Sequence, residues 1–278
     1  MIAVFTITTR AIKVWFDGGA FANAAALAFY TIFSLAPIMI FAITATGIVL
    51  GPEAAEGRIV GQLEGLIGPE PARVVEQVVA DTQLTQTGWL PTLAGVFAMA
   101  LGATAVFVQL QRALNSIWNV SSPRHSNNSL SLLTNRLLSL VIALIFGLVI
   151  MASLLTSGIL RAINRFASEW LTIDTTLMTF VETSASLALM TLLFALMFRI
   201  LPDISLSWKD ALPGAAITAL LFMLGRYLIA SYLTFTAPAS AYGAAGSLVL
   251  LLVWIYASAL ILLFGAAITR AMTHGENP

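Results

Sequence analysis

Long apolar runs alternate with short polar breaks along this chain, and six of the runs are of membrane-crossing length. A spanning helix takes about 20 mostly apolar residues. The runs cover roughly 22–50, 90–117, 134–160, 176–200, 211–235 and 246–270. Proline and glycine collect at their edges, as in "LGPE" at 50–53 and "LPDISLSWKDALPG" at 201–214. Pro37 is the exception, inside the first run. A membrane helix tolerates it, usually with a kink, once neighbours satisfy the freed carbonyl. The pattern predicts an all-α fold, residues 1–278 forming one bundle of six transmembrane helices.

Two connections stand out. The loop at 51–89 is the long one, with Glu53, Glu56, Glu64, Glu70, Glu76 and Asp81 set among Ile59, Leu63, Leu66 and Ile67 at helical spacing. "GPEP" at 68–71 divides it, and a proline there suits a helix start. Two short amphipathic helices are expected, lying on the outer face or capping the bundle; a solvated hairpin is the alternative. The other connection, between Phe235 and Leu248, holds no charge. Its "YGAAGS", with Tyr242 and Gly243, fits an anion seat at the start of the sixth helix. The same small residues also suit plain close packing.

Basic residues set the orientation. Arg10, Lys13, Arg112, Arg124, Arg136, Arg199, Lys209 and Arg270 fall on one side, against Arg58, Arg73, Arg161 and Arg165 on the other. Both termini are therefore expected in the cytoplasm.

Composition agrees with the pattern. The chain is 59% hydrophobic and 9% charged, where a soluble domain has about 25% charged residues. Formal net charge is zero, which gives no general attraction to nucleic acid. There is no cysteine, so disulfides, thiol nucleophiles and cysteine metal sites are excluded. Arg10, Lys13 and Asp17 interrupt any signal-peptide core in the first twenty residues.

Polar groups inside the runs are the candidates for function, because burying them in lipid is costly. Arg226 lies ten residues before Thr236, roughly 15 Å below the outer end, and Glu182 lies roughly 9 Å from the same side. The two are expected to meet inside the bundle, as a ligand site or as a structural ion pair. In the first run Asn23, Tyr30, Ser34, Pro37 and Thr44 share an arc of about 80°, a polar stripe that must face helices or water. It serves as hydrogen-bond glue or as a substrate path. Gly95, Ala98, Gly102, Ala105 and Gln109 mark a close-packing face on the second run. At its inner end Gln109, Arg112 and Ser116 form an inner gate or headgroup site, with Trp118 as an interfacial anchor.

Catalytic patterns are poor. His125 and His274 are far apart in sequence and lack metal-ligand spacing. There is no nucleophile elbow, glycine-rich phosphate loop or zinc-protease motif. No cofactor or metal is expected, and nothing points to an enzyme.

Four stretches carry a resemblance: "AAALAFYTIFSLAPIMIF" (24–41), "QRALNSIWNV" (111–120), "LPDISLSWKDALPGAAITALLF" (201–222) and "YGAAGSLVLLLVWIYASALILLFGAAITR" (242–270). In this order they resemble the YihY/BrkB family of bacterial inner-membrane proteins over nearly the whole chain. The resemblance implies six helices with both termini inside. Relatives often carry an acid just after "GA" in the last helix, where this chain has Ala267. Some relatives bear a ribonuclease BN label, which no metal-binding cluster or basic domain supports here. The family is also discussed as transporters or lipid exporters.

The leading expectation is therefore a transporter that exports or flips an amphiphilic or anionic substrate around Arg226. Against it stand a scaffold that docks a protein partner through loop 51–89, and an intramembrane lipid-modifying enzyme. Expected partners are membrane lipids and a small amphiphile, not nucleic acid.

Overall fold

The computed structural model describes residues 2–34, 105–120, 175–236 and 246–273. Pro37, Thr44, the loop 51–89, the run 134–160, Tyr242 and Gly243 lie outside these residues, as does the side chain of Glu182. The described residues form helices joined by turns, with no strand among them. We label the helices α1 (Ile2–Asp17), α2 (Ala20–Ser34), α3 (105–118), α4 (Thr175–Ile200), α5 (Trp208–Thr236) and α6 (Gly246–Thr273). Three of them contain stretches long and apolar enough to cross a membrane: Thr183–Ile200, Trp208–Ile229 and Leu248–Thr273.

The helix α1 was not foreseen from the pattern, because its threonines and basic residues break any apolar run. Yet Ile7, Ala11, Val14 and Trp15 recur at helical spacing, and that face is the one it packs. Ala11 joins Ile268 and Ala271 of α6, with Ile7 alongside. Trp15 lies edge-on to Phe264 at 5.6 Å and against Phe21 at 4.8 Å. The chain then turns a corner on two glycines. Gly19 has φ +64°, a left-handed conformation that glycine adopts without strain, and its N–H donates to the Phe16 carbonyl at 3.0 Å. Gly18 is needed for space: a Cβ there would lie 2.7 Å from Cδ1 of Ile117.

The turn 201–207 carries the chain from α4 to α5. Ser207 starts α5, its Oγ accepting the Asp210 N–H at 3.3 Å and donating to the Asp210 carboxylate at 2.6 Å. An aspartate in the first turn also faces the positive end of the helix dipole. Arg199, in the last turn of α4, stacks on the Trp208 ring at 4.4 Å and so braces the same turn.

In lipid the surroundings are as apolar as the side chains, so helices associate by close packing and interhelical bonding rather than by a hydrophobic gradient. The crossing of α5 and α6 follows that rule. Gly214 of α5 faces Thr269 of α6, and Gly265 of α6 faces Thr218 of α5. A Cβ at Gly214 would come within 2.7 Å of the Thr269 Cβ, and one at Gly265 within 2.7 Å of the Thr218 Cβ. Each threonine donates its hydroxyl to the glycine carbonyl one turn back, at 2.7 Å for Thr218 and 2.8 Å for Thr269. Both can then be fully buried without an unsatisfied hydroxyl. Beyond the crossing, Phe222 meets Trp254 at 6.2 Å and Phe194 of α4 at 5.7 Å. The core is rich in alanine, including Ala195, Ala215, Ala219, Ala266 and Ala267. Ala267 is fully buried there, at the position where the resemblance leads one to look for an acid.

Replacing Gly265 by Ala is expected to destabilise the protein by about 1–3 kcal/mol, since the added methyl has no room. Thermal unfolding in mild detergent measures it, and Thr218→Gly added to the same chain should restore part of the loss.

Candidate functional site

Polar side chains converge where α3 ends, and the local geometry of that end explains why. Asn119 adopts φ 53° just past the helix. Its N–H donates to the Ser116 carbonyl at 3.1 Å, and the Val120 N–H donates to the Asn115 carbonyl at 2.9 Å. This pair of bonds ends a helix on a left-handed residue, a position that asparagine tolerates. The carbonyl of Ile117, in the same last turn, accepts Arg270 Nη1 at 2.6 Å. A cation thus meets the negative end of the α3 dipole, in addition to making the bond.

Asn115 is buried, and it clasps the turn between α4 and α5 from both sides. Its Nδ2 donates to Asp203 Oδ2 at 2.8 Å, while its Oδ1 accepts the Asp203 backbone N–H at 2.9 Å. Gln111, one turn earlier, donates to Asp203 Oδ1 at 3.1 Å. The aspartate carboxylate therefore receives two side-chain amides from one helix. Such charge-assisted bonds are among the stronger ones available to a protein.

The third tie reaches the glycine corner. The Gly18 carbonyl accepts Ser116 Oγ at 2.9 Å and Asn23 Nδ2 at 3.0 Å, which uses both its lone pairs. Asn23 Oδ1 in turn accepts Gln109 Nε2 at 3.5 Å, a long bond. Around this polar set lie Leu114, Ile117, Phe198, Leu201 and Leu263, all fully buried. The result is a latch that binds α1, α2, α3, the α4–α5 turn and α6 together at one end of the bundle.

The residues singled out in the sequence divide unevenly over this site. Gln109 and Ser116 both join the latch, at Asn23 and Gly18. Arg112 is exposed instead. The expected stripe on α2 splits: Asn23 turns inward to the latch, Ser34 is buried and bonds to the Thr31 carbonyl at 3.0 Å, and Tyr30 is exposed against Phe29. Arg226 is half-buried on α5, with its guanidinium 5.5 Å from the Tyr227 ring. Asn115, Gln111, Asp203 and Arg270 were missed as site residues. The signal was present, because they lie in three of the four stretches that carry the family resemblance, and the latch is where those stretches meet.

A separate groove of about 460 Å³ runs along α4, lined by Ser184, Leu187, Ala188, Thr191, Leu192 and by Leu212 of α5. Thr191 donates its hydroxyl to the Leu187 carbonyl at 2.8 Å, so the wall offers mostly hydrocarbon. Arg226 is not among its lining residues.

Known proteins share this chain's sequence over most of its length. A family model described as Virulence factor BrkB matches residues 11–278. A UPF0761 membrane protein of Idiomarina loihiensis is 33% identical over 184 residues, which is 65% of this chain and 61% of that protein. A UPF0761 membrane protein of Stenotrophomonas maltophilia is 28% identical over 267 residues, 92% of this chain and 58% of that protein. In Bacillus subtilis a protein named ribonuclease-like, YfkH, is 24% identical over 266 residues, 92% of this chain and 93% of its own length. The chain thus spans 58–61% of those UPF0761 relatives. No solved structure matches it.

Truncating Asn115 to Ala leaves the buried side of the Asp203 clasp open and is expected to cost about 1–3 kcal/mol. Combined with Asp203→Ala, the two losses should be strongly non-additive, with a coupling of about 0.5–3 kcal/mol in a double-mutant cycle of detergent unfolding.

Proposed function

As a member of the Virulence factor BrkB family and a membrane protein, the chain, we propose, is a transporter of the bacterial inner membrane that moves an amphiphilic, anionic substrate. Six spans place both termini in the cytoplasm. This orientation draws support from the latch end of the bundle, which holds Arg10, Lys13, Arg112, Arg199, Lys209 and Arg270, leaving Arg226 as the one described basic residue elsewhere. Basic residues flanking spans are retained on the cytoplasmic side.

The observation that carries the reading is Arg226. It lies within the apolar stretch Trp208–Ile229, eighteen residues along α5, which is roughly 27 Å from the latch end of that helix. A guanidinium inside a span costs up to about 2.5–3.5 kcal/mol, the figure for the bilayer centre, and such a residue is a functional candidate by default. An anionic headgroup is its natural complement, and the apolar groove along α4 suits an alkyl chain. The latch then acts as the closed inner gate, with Gln109 and Ser116 tied to Asn23 and Gly18. The ribonuclease-like name of the Bacillus relative is not carried to this chain, whose two histidines, His125 and His274, are far apart in sequence.

Native mass spectrometry of protein taken gently from its own membranes tests the assignment. The wild type should retain one class of anionic amphiphile, and Arg226→Ala should reduce its binding by about tenfold or more, with Arg226→Lys intermediate. Equal, non-selective lipid on all three proteins would remove Arg226 from the substrate site.

A further inference from the structure

The helix α1 has three sectors when its residues are placed about 100° apart. Ile7, Ala11, Val14 and Trp15 pack on α6 and the core. Beside them Phe5, Ile12 and Phe16 fall within an arc of about 40°, and they are 75%, 42% and 58% exposed. Lys13, Asp17 and Arg10 occupy the remaining sector, all exposed, and Asp17 is the helix's only acid.

This combination suits neither bulk water nor the bilayer interior. Two phenylalanines and an isoleucine in one open stripe are unfavourable in water, and Arg10 and Lys13 are unfavourable in hydrocarbon. The 16 residues of α1 reach about 24 Å, less than the hydrocarbon thickness of about 30 Å. Its position is fixed by α6: Trp15 meets Phe264, and Ala11 meets Ile268 and Ala271. The membrane-capable stretch of α6 ends at Thr273. The α6 residues that α1 touches thus fall within the last ten of that stretch, and α1 is held beside the end of a spanning helix. A helix with an aromatic stripe and a basic face lies naturally in the plane of the membrane interface.

We propose that α1 is an interfacial helix that binds anionic phospholipid, with the Phe5–Ile12–Phe16 stripe in the acyl region and Arg10 and Lys13 on the headgroup phosphates. Charge at this end favours that occupant. Arg112 and Lys209 are also exposed here, and among the described residues at this end six basic side chains (Arg10, Lys13, Arg112, Arg199, Lys209, Arg270) stand against three acids (Asp17, Asp203, Asp210). A second copy packed on the same stripe would bring its own Arg10 and Lys13 towards these basic groups. The site stands apart from Arg226 on α5, so each proposal can fail without the other.

The chain contains no cysteine, so single-cysteine variants of the full-length protein can each carry one nitroxide. In vesicles of mixed phosphatidylglycerol and phosphatidylcholine, labels at Phe5→Cys, Ile12→Cys and Phe16→Cys should relax with oxygen more than with a water-soluble nickel chelate. A label at Lys13→Cys should show the reverse. With spin-labelled lipids, the wild type should prefer phosphatidylglycerol, and Arg10→Gln with Lys13→Gln should lower that preference by about fivefold per charge removed. Nickel-dominated relaxation along the stripe would overturn the proposal. So would an unchanged lipid preference in the double variant, or spin–spin broadening at Phe16→Cys that unlabelled protein dilutes away, which would point to a second copy. The three stripe labels, at Phe5→Cys, Ile12→Cys and Phe16→Cys, keep both charges intact, so misfolding of the double variant would not rescue the idea.

Discussion

The close approach of α5 and α6 at two glycine–threonine contacts is the constraint on which the rest of the described structure rests. Gly214 against Thr269 and Gly265 against Thr218 make a reciprocal pair, each helix supplying one glycine and one threonine a turn apart. A membrane offers little hydrophobic drive for such a contact, so its strength comes from dispersion between surfaces that fit. The threonines fill the space each glycine opens, and their hydroxyls are already bonded to their own helix. Interior packing is dense enough that one added methylene is felt, and here two sites a turn apart have no tolerance.

From that crossing the remaining contacts follow in order. Fixing α6 against α5 sets the position of Arg270, which reaches the open carbonyl at the end of α3. With α3 so placed, Asn115 and Gln111 meet Asp203 at the start of the turn that leads back into α5. The latch and the crossing thus form a closed circuit through α3, the α4–α5 turn, α5 and α6. Through Ser116 and the Gly18 carbonyl the circuit also holds the corner between α1 and α2. The transport proposal requires this end to open, and Gln109 to Asn23, at 3.5 Å, is the longest of its side-chain bonds.

Much of the helical content was legible from hydropathy alone, because the runs leading into α4, α5 and α6 are long and nearly uncharged. The amphipathic α1 was not, since its apolar positions are spread over two faces and its basic residues mask the period. Arg226 was legible as a charge in an apolar run. The latch was harder to see: Asn115 and Asp203 are ordinary surface residues by type, and their meaning lies in a contact spanning 88 positions. Arg270 looked like a topological charge, and only the geometry of the α3 end shows it as a cap. Tyr30 shows where helical period alone says little about burial. Its period placed it with Asn23 and Ser34, but an amphipathic ring is readily left at the bundle surface.

The most direct test of this account is disulfide trapping across the α5–α6 crossing, on a chain with no cysteine of its own. Disulfide geometry places Cβ atoms about 3.8 Å apart, so the helices need to part by only about 1 Å. With Gly214→Cys and Thr269→Cys, or with Gly265→Cys and Thr218→Cys, mild oxidation in intact membranes should join the pair within one molecule. The exposed Leu220→Cys paired with Thr269→Cys should remain reduced. If neither facing pair forms, or if bonds appear only between molecules, the crossing is not as described and the latch built upon it loses its support.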